Sequence, residues 1–197
     1  ATSGLSIGYE HRNRKLENIE TGVIENLNYW DKELMQGVQV GLRFDKYFAP
    51  KFFGLGVHTG IYAGYYSLEG KLSPDGNDNL SFQDIRLYIP LQGIYRLDFS
   101  KNIGCFVTYG LSADIGLYSR IRLKNDEETG THSNIYDKAE WSNIKRLNYS
   151  LIYGAGVQIN HLMISASVDK GLLNQSDDAS FRISENRDIR LSLTLMF

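Results

Sequence analysis

The stretch RDIRLSLTLMF at residues 187–197 sorts its side chains into two sets by alternate position. One set is large and apolar: Ile189, Leu191, Leu193, Leu195 and Phe197. The set between them is Arg190, Ser192, Thr194 and Met196. A period of two is typical of a β-strand with one apolar face. The stretch therefore predicts a strand, and the same alternation recurs along most of the chain.

The composition favours strands and turns over helices. The 197 residues include 19 Gly, 13 Tyr and 9 Phe but only 3 Pro, and we expect them to form a single domain. A net charge of −2 argues against nucleic-acid binding, and the lone cysteine, Cys105, excludes an intrachain disulfide. The chain has no apolar run long enough for a transmembrane helix. It shows no signal peptide either, so we expect that one has been removed.

Eight segments carry the period of two. In residues 103–121, for example, the odd positions are mostly apolar and the even positions are mostly glycine, polar or charged. A helix would mix these two sets, because it brings residues three and four apart together. The predicted strands are 3–11, 35–46, 52–69, 82–99, 103–121, 147–159, 162–170 and 188–197. Pro90 falls inside the fourth segment without disturbing the alternation, so we expect a local bend there and not a strand end.

The connections between these segments alternate strictly in length. Those at 45–52, 99–102 and 160–161 are short, whereas those at about 12–34, 70–81, 122–146 and 171–187 are long. A bacterial outer-membrane barrel has short periplasmic turns, long external loops and an even number of strands. We therefore predict an all-β protein: a closed, antiparallel, up-and-down, eight-stranded transmembrane β-barrel in the outer membrane.

Aromatic residues on the apolar face support the same interpretation. Phe44, Phe53, Phe99 and Phe197 fall near the short connections. Tyr9, Tyr65 and Tyr149 fall near the long ones. Two such belts are expected where aromatic rings meet the two membrane interfaces.

The C-terminal strand resembles the assembly signal of outer-membrane barrels, with Phe197 as the terminal aromatic behind Leu191, Leu193 and Leu195. Residues 88–117, with a mid-strand proline, a short turn and a glycine-rich strand, resemble the PorT-like outer-membrane barrels of Bacteroidetes. Residues 153–174 resemble the closing hairpin of that family. The resemblance implies an envelope protein that is recognised by the barrel assembly machinery, and it implies no specific pathway.

If the apolar face meets lipid, the opposite face points into the barrel. Ten charged residues lie on it: Glu10, Arg43, Asp45, Asp84, Arg86, Arg96, Asp114, Arg120, Asp169 and Arg190. Buried charges must be paired, and arginine binds carboxylates through two nitrogens at once. We therefore interpret the ten as a structural ion-pair network in a filled lumen. The alternative is a narrow polar path for small solutes.

Other functions have weaker support. His132, Ser133 and Asp137 in the third long loop would suit a lipid A-modifying enzyme, but sequence adjacency does not establish a triad, and we expect no enzyme activity. The histidines lack metal-ligand spacing, and we expect neither metal nor cofactor. We expect a monomer that contacts membrane lipid, with basic residues near the rim for lipopolysaccharide phosphates: Arg12, Arg14, Lys15, Lys145, Arg146, Lys170 and Arg187. A soluble lipocalin-like barrel with an apolar interior remains the last alternative.

Overall fold

The computed structural model describes residues 1–12, 14–18, 35–48, 53–71, 79–124, 129–133, 145–173, 181–185 and 188–197. Its strands, in chain order, are β1 (Thr2–Arg12), β2 (Arg14–Asn18), β3 (Met35–Tyr47), β4 (Phe53–Lys71), β5 (Asn79–Asp98), β6 (Ile103–Lys124), β7 (Thr129–Ser133), β8 (Leu147–Ile159), β9 (Leu162–Gly171), β10 (Phe181–Glu185) and β11 (Asp188–Met196). No helix in the described part of the chain is long and apolar enough to cross a membrane.

Eight of these strands form one closed antiparallel barrel. Each pairs with its neighbours in the order β1, β3, β4, β5, β6, β8, β9 and β11. The barrel closes between β11 and β1, where Leu5 lies opposite Leu195 and Ile7 opposite Leu193. At the chain ends, the Phe197 amide donates to the Ser3 carbonyl at 2.8 Å. Closure leaves no barrel edge with unpaired backbone groups.

The apolar side chains of the barrel point outward. Leu5 and Ile7 are 56% and 55% exposed, whereas the neighbouring Ser6 is 3% exposed and Glu10 is fully buried. Because alternate residues of a strand face opposite sides of the sheet, this pattern repeats around the barrel. The lipocalin-like alternative, which places apolar residues inside, is therefore wrong.

The eight predicted strands are confirmed, with bounds that differ by three residues or fewer. Three short strands fall in segments that the sequence assigned to loops. β2 pairs with β10 as a separate two-stranded sheet. β7 pairs with the end of β6, from Lys124 opposite Thr129 to Arg120 opposite Ser133. We call this end of the barrel the long-loop end, and the opposite end the short-turn end.

A β-bulge interrupts the alternation of β6. Ile85 pairs with Tyr118 and Arg86 pairs with Gly116, so Leu117 is an extra residue. A bulge of this kind turns every later side chain of its strand to the other face. Tyr118 is 39% exposed and Ser119 is buried, the reverse of their parity before the bulge.

Pro90 does not end its strand, since β5 continues to Asp98 as predicted. Its effect appears in the pairing with β4, where the register skips Ile89 and Pro90. Proline lacks a backbone N–H, so a proline in a central strand cannot donate a hydrogen bond to a neighbouring strand. The Thr59 hydroxyl donates to the Pro90 carbonyl at 2.8 Å and so satisfies one group beside the gap.

Candidate functional site

Buried charges gather inside the barrel towards the long-loop end, around Glu10. The Arg12 Nε lies 3.1 Å from Glu10 Oε1, and Arg190 Nη2 lies 3.1 Å from Glu10 Oε2. The Tyr66 hydroxyl donates to Glu10 Oε2 at 2.7 Å. These contacts tie β1, β4 and β11 together across the lumen. Two cations and a hydroxyl thus surround one fully buried carboxylate.

Further carboxylates extend this group. Asp114 Oδ2 accepts from Arg12 Nη2 at 2.6 Å, and its Oδ1 lies 3.3 Å from Arg86 Nη1. Arg86 Nε donates to Asp84 Oδ2 at 2.6 Å. On the other side, Arg190 Nη2 donates to Asp169 Oδ2 at 3.3 Å. We call the whole group the upper cluster: Glu10, Arg12, Asp84, Arg86, Asp114, Asp169 and Arg190.

Aromatic rings cover two of the arginines. The Arg12 guanidinium carbon lies 4.0 Å from the centre of the Tyr66 ring. The Arg190 carbon lies 3.8 Å from that of Tyr88. At these distances the ring face attracts the cation. The rings also exclude water, which strengthens the ion pairs beside them.

A second group, the lower cluster, consists of Arg43, Asp45 and His58. Arg43 Nε donates to Asp45 Oδ2 at 2.9 Å, and His58 Nδ1 lies 2.7 Å from Asp45 Oδ1. One carboxylate therefore serves both neighbours. All three residues are buried.

An apolar layer lies inside the barrel near the short-turn end. We call it the apolar plug: Ile94, Phe106, Met163 and Met196, with Tyr47 packed against it. These side chains come from five strands, each within about four residues of its short-turn end. Glycines make room for them, since a Cβ at Gly4 would lie 2.7 Å from the Met196 sulfur.

Below the plug, a further ion pair lies at the mouth of the barrel. Arg96 Nε donates to Asp98 Oδ1 at 2.6 Å, and Arg96 Nη1 donates to Gln158 Oε1 at 2.6 Å. The two charged side chains are 20% and 28% exposed. This pair is therefore partly hydrated, unlike the two clusters above the plug.

The ten residues predicted for the lumen separate into four places. Six belong to the upper cluster, namely Glu10, Asp84, Arg86, Asp114, Asp169 and Arg190. Arg43 and Asp45 belong to the lower cluster, and Arg96 lies at the mouth. The placement of Arg120 in the lumen is wrong, because the bulge at Leu117 turns it outward with Tyr118.

Several residues that line the lumen are not among the ten predicted from the sequence. Arg12 was predicted at the outer rim, but its side chain is fully buried in the upper cluster. The even parity of Arg12 on β1, shared with Glu10, was the signal that could have placed it inside. Asp98 and Asp188 were also missed, although each lies two positions from a predicted arginine.

The described residues give no geometric support to the enzyme hypothesis. His132 and Ser133 belong to β7, and Asp137 lies outside the described part of the chain. Among the described residues, no group of three or more His, Cys, Asp or Glu side chains is placed to hold a metal ion.

The closed barrel, its apolar exterior and its charged lumen together define a transmembrane β-barrel. The chain belongs to the family described as "outer membrane protein beta-barrel domain", whose model matches residues 4–177. The protein is therefore a small barrel of the bacterial outer membrane. In such barrels, the short turns generally face the periplasm. No curated protein sequence matches the chain.

Several solved structures are similar to this one. The attachment invasion locus protein Ail of Yersinia pestis is 12% identical, with 100% of this chain and 98% of that chain covered and a TM-score of 0.36. A major outer membrane protein from Thermus thermophilus is 10% identical, with 99% of each chain covered and a TM-score of 0.49. The outer membrane enzyme PagL is 11% identical, with 96% and 98% covered and a TM-score of 0.46.

Proposed function

We propose that this protein is a non-enzymatic, non-conducting barrel that anchors its long loops at the cell surface, in a structural or binding role. The observation that carries the proposal is the filled lumen. The apolar plug spans the short-turn end, and the upper cluster occupies the lumen towards the other end. An eight-stranded barrel is just wide enough for side chains to fill it, and an apolar constriction excludes ions by remaining dry.

Conductance tests the proposal against the narrow-pore alternative. We expect the purified protein to be silent in planar lipid bilayers, while a general porin in the same bilayers conducts. Folding is verified on the same sample by a change of gel mobility on boiling. A conductance that changes in Arg86→Met, which removes a charge from the upper cluster, would contradict the proposal. The proposal is supported if the wild type and Arg86→Met are both folded and both silent while the general porin conducts.

The surface partner that fits best is lipopolysaccharide, by the chemistry of its phosphates. Arg122, Arg146 and Lys170 are exposed near the long-loop end of three strands, and the bulge turns Arg120 to the same outer side. Arginine and lysine bind phosphate through charge-assisted hydrogen bonds. These four residues would meet the phosphates at the outer interface of the membrane.

Binding of lipopolysaccharide to the barrel in detergent tests this partner. We expect Arg122→Gln with Lys170→Gln to weaken binding, because each change removes one cation from the surface. The matched control is Lys101→Gln, since Lys101 is exposed on a turn at the opposite end. Equal affinity in the wild type, the double variant and the control would exclude this surface.

We further propose, from the resemblance of residues 88–117 and 153–174, that the protein is a PorT-like barrel of Bacteroidetes. The terminal Phe197, with Leu191, Leu193 and Leu195, would be recognised by the barrel assembly machinery. All four side chains are exposed on the outer face, where an assembly factor can reach them.

A further inference from the structure

A polar cavity of about 40 Å³ lies inside the barrel and is bordered by residues of the upper cluster, the lower cluster and the apolar plug. Its lining includes the buried side chains of Gln39, Arg43, His58, Gln92 and Arg190, together with several hydroxyls. In the described part of the chain, no aspartate or glutamate lines this cavity. The carboxylates of the upper cluster lie nearer the long-loop end, outside this lining.

Two hydrogen-bond donors of the lining have no partner among the described residues. They are Arg43 Nη2 and the Gln92 side-chain nitrogen, and the residues are 5% and 4% exposed. The Gln39 side-chain oxygen is unpaired as well. Buried donors without acceptors are costly, so their presence around a cavity indicates a ligand that accepts hydrogen bonds.

The carboxylates that pair with the two arginines lie outside the lining. The Arg43 Nε donates to Asp45, and the other oxygen of Asp45 contacts His58. The Nη2 group of Arg43 therefore has no carboxylate partner among the described residues. Arg190 reaches Glu10 and Asp169 on the side of the upper cluster. The cavity is thus bordered by two guanidinium groups, and no carboxylate of the described chain enters it.

The volume restricts what can bind. About 10–15 Å³ of cavity volume holds one water molecule. A cavity of about 40 Å³ therefore has room for a monatomic ion with a water or two, and it is too small for a large organic anion. We propose that the cavity binds a halide ion, held by Arg43 and Gln92 with Arg190 supplying further positive charge. The halide site goes beyond the proposed function, because the ion would be bound permanently inside a barrel that does not conduct.

Bromide is the probe, because its anomalous scattering distinguishes it from water. Crystals of the whole barrel grown with bromide in place of chloride should show an anomalous peak in the cavity, within hydrogen-bonding distance of Arg43 and Gln92. In solution, bromide should raise the unfolding midpoint more than gluconate does at equal ionic strength.

Gln92→Glu is the decisive variant, because it places a carboxylate in the lining with little change of shape. We expect it to lose the peak and to weaken bromide binding by at least about tenfold. Arg43→Met should act in the same direction if it folds. The matched control is Arg96→Met, whose arginine lies at the mouth, outside the cavity lining, and should leave the peak unchanged.

Water alone in the cavity of the wild-type barrel, at any bromide concentration, would overturn the proposal. So would an anomalous peak that persists in folded Gln92→Glu, or a stabilisation by bromide that is equal in wild type and that variant. Conductance of the barrel would overturn the proposed function but not the halide site, so the two failures are distinguishable.

Discussion

Two ion pairs of this barrel share their length and their spacing along the strand but differ in burial, and they predict how much burial matters. Arg86 Nε lies 2.6 Å from Asp84 Oδ2, and Arg96 Nε lies 2.6 Å from Asp98 Oδ1. In each pair, the partners are two residues apart on β5. The first pair is 1% and 0% exposed, and the second is 20% and 28% exposed.

Asp84→Asn and Asp98→Asn make the same chemical change in these two settings. Removing one partner of a buried pair leaves an uncompensated charge and costs about 3–5 kcal/mol. Asp114, which lies 3.3 Å from Arg86, compensates in part and favours the lower end of that range for Asp84→Asn. Loss of a solvent-exposed pair costs about 0.2–1 kcal/mol, and we expect Asp98→Asn to remain near that range.

Equilibrium unfolding in urea, in lipid vesicles, measures both free energies. The fraction folded is followed by gel mobility without boiling and by circular dichroism. Equal losses for Asp84→Asn and Asp98→Asn would refute the reasoning, because the pairs share their length and spacing. The double variant Asp84→Asn with Arg86→Met should recover much of the loss, since it removes the uncompensated charge.

Three further changes are expected to affect the barrel. Thr59→Val should cost about 1–3 kcal/mol in urea unfolding, because the Pro90 carbonyl loses its donor where lipid offers none, and Thr59→Ser should restore stability. Phe197→Ala should slow assembly in cells, measured by the heat-modifiable gel band, without a large loss of stability once folded. Gly37→Ala should cost about 1–3 kcal/mol, because the new methyl meets a buried tyrosine ring, whereas at Gly93 a methyl meets no atom nearer than 3.7 Å and Gly93→Ala should be neutral.

The architecture of the barrel could be predicted because one physical rule governs most of the chain. Alternate residues face lipid and lumen, and each strand obeys that rule over most of its length, as Leu5, Ser6 and Ile7 illustrate. The strict alternation of short and long connections then distinguished the short-turn end of the barrel from the long-loop end. Closure followed from the β11 sequence, whose outward leucines match those of β1 in register.

The charged lumen was less predictable because its contacts depend on more than alternation. The bulge at Leu117 leaves no mark in the hydrophobic pattern that precedes it, and it reverses the facing of Arg120. Contacts across the lumen, such as that between Arg12 and Asp114, join residues 102 positions apart. Which carboxylate meets which arginine depends on strand stagger and side-chain length, and the sequence pattern specifies neither.

The spacing of opposite charges gives a better rule than alternation alone. Residues two apart on a strand share a face, so an acid two positions from an arginine brings a counter-charge into the lumen on the same strand. The lumen and its mouth contain five such pairs: Glu10 with Arg12, Arg43 with Asp45, Asp84 with Arg86, Arg96 with Asp98, and Asp188 with Arg190. Arg120 and Arg122 have the same spacing but like charge, and the bulge directs both outward. Because a neutral pair is far cheaper to bury than two like charges, the sign of the residue two positions away indicates which face an arginine takes.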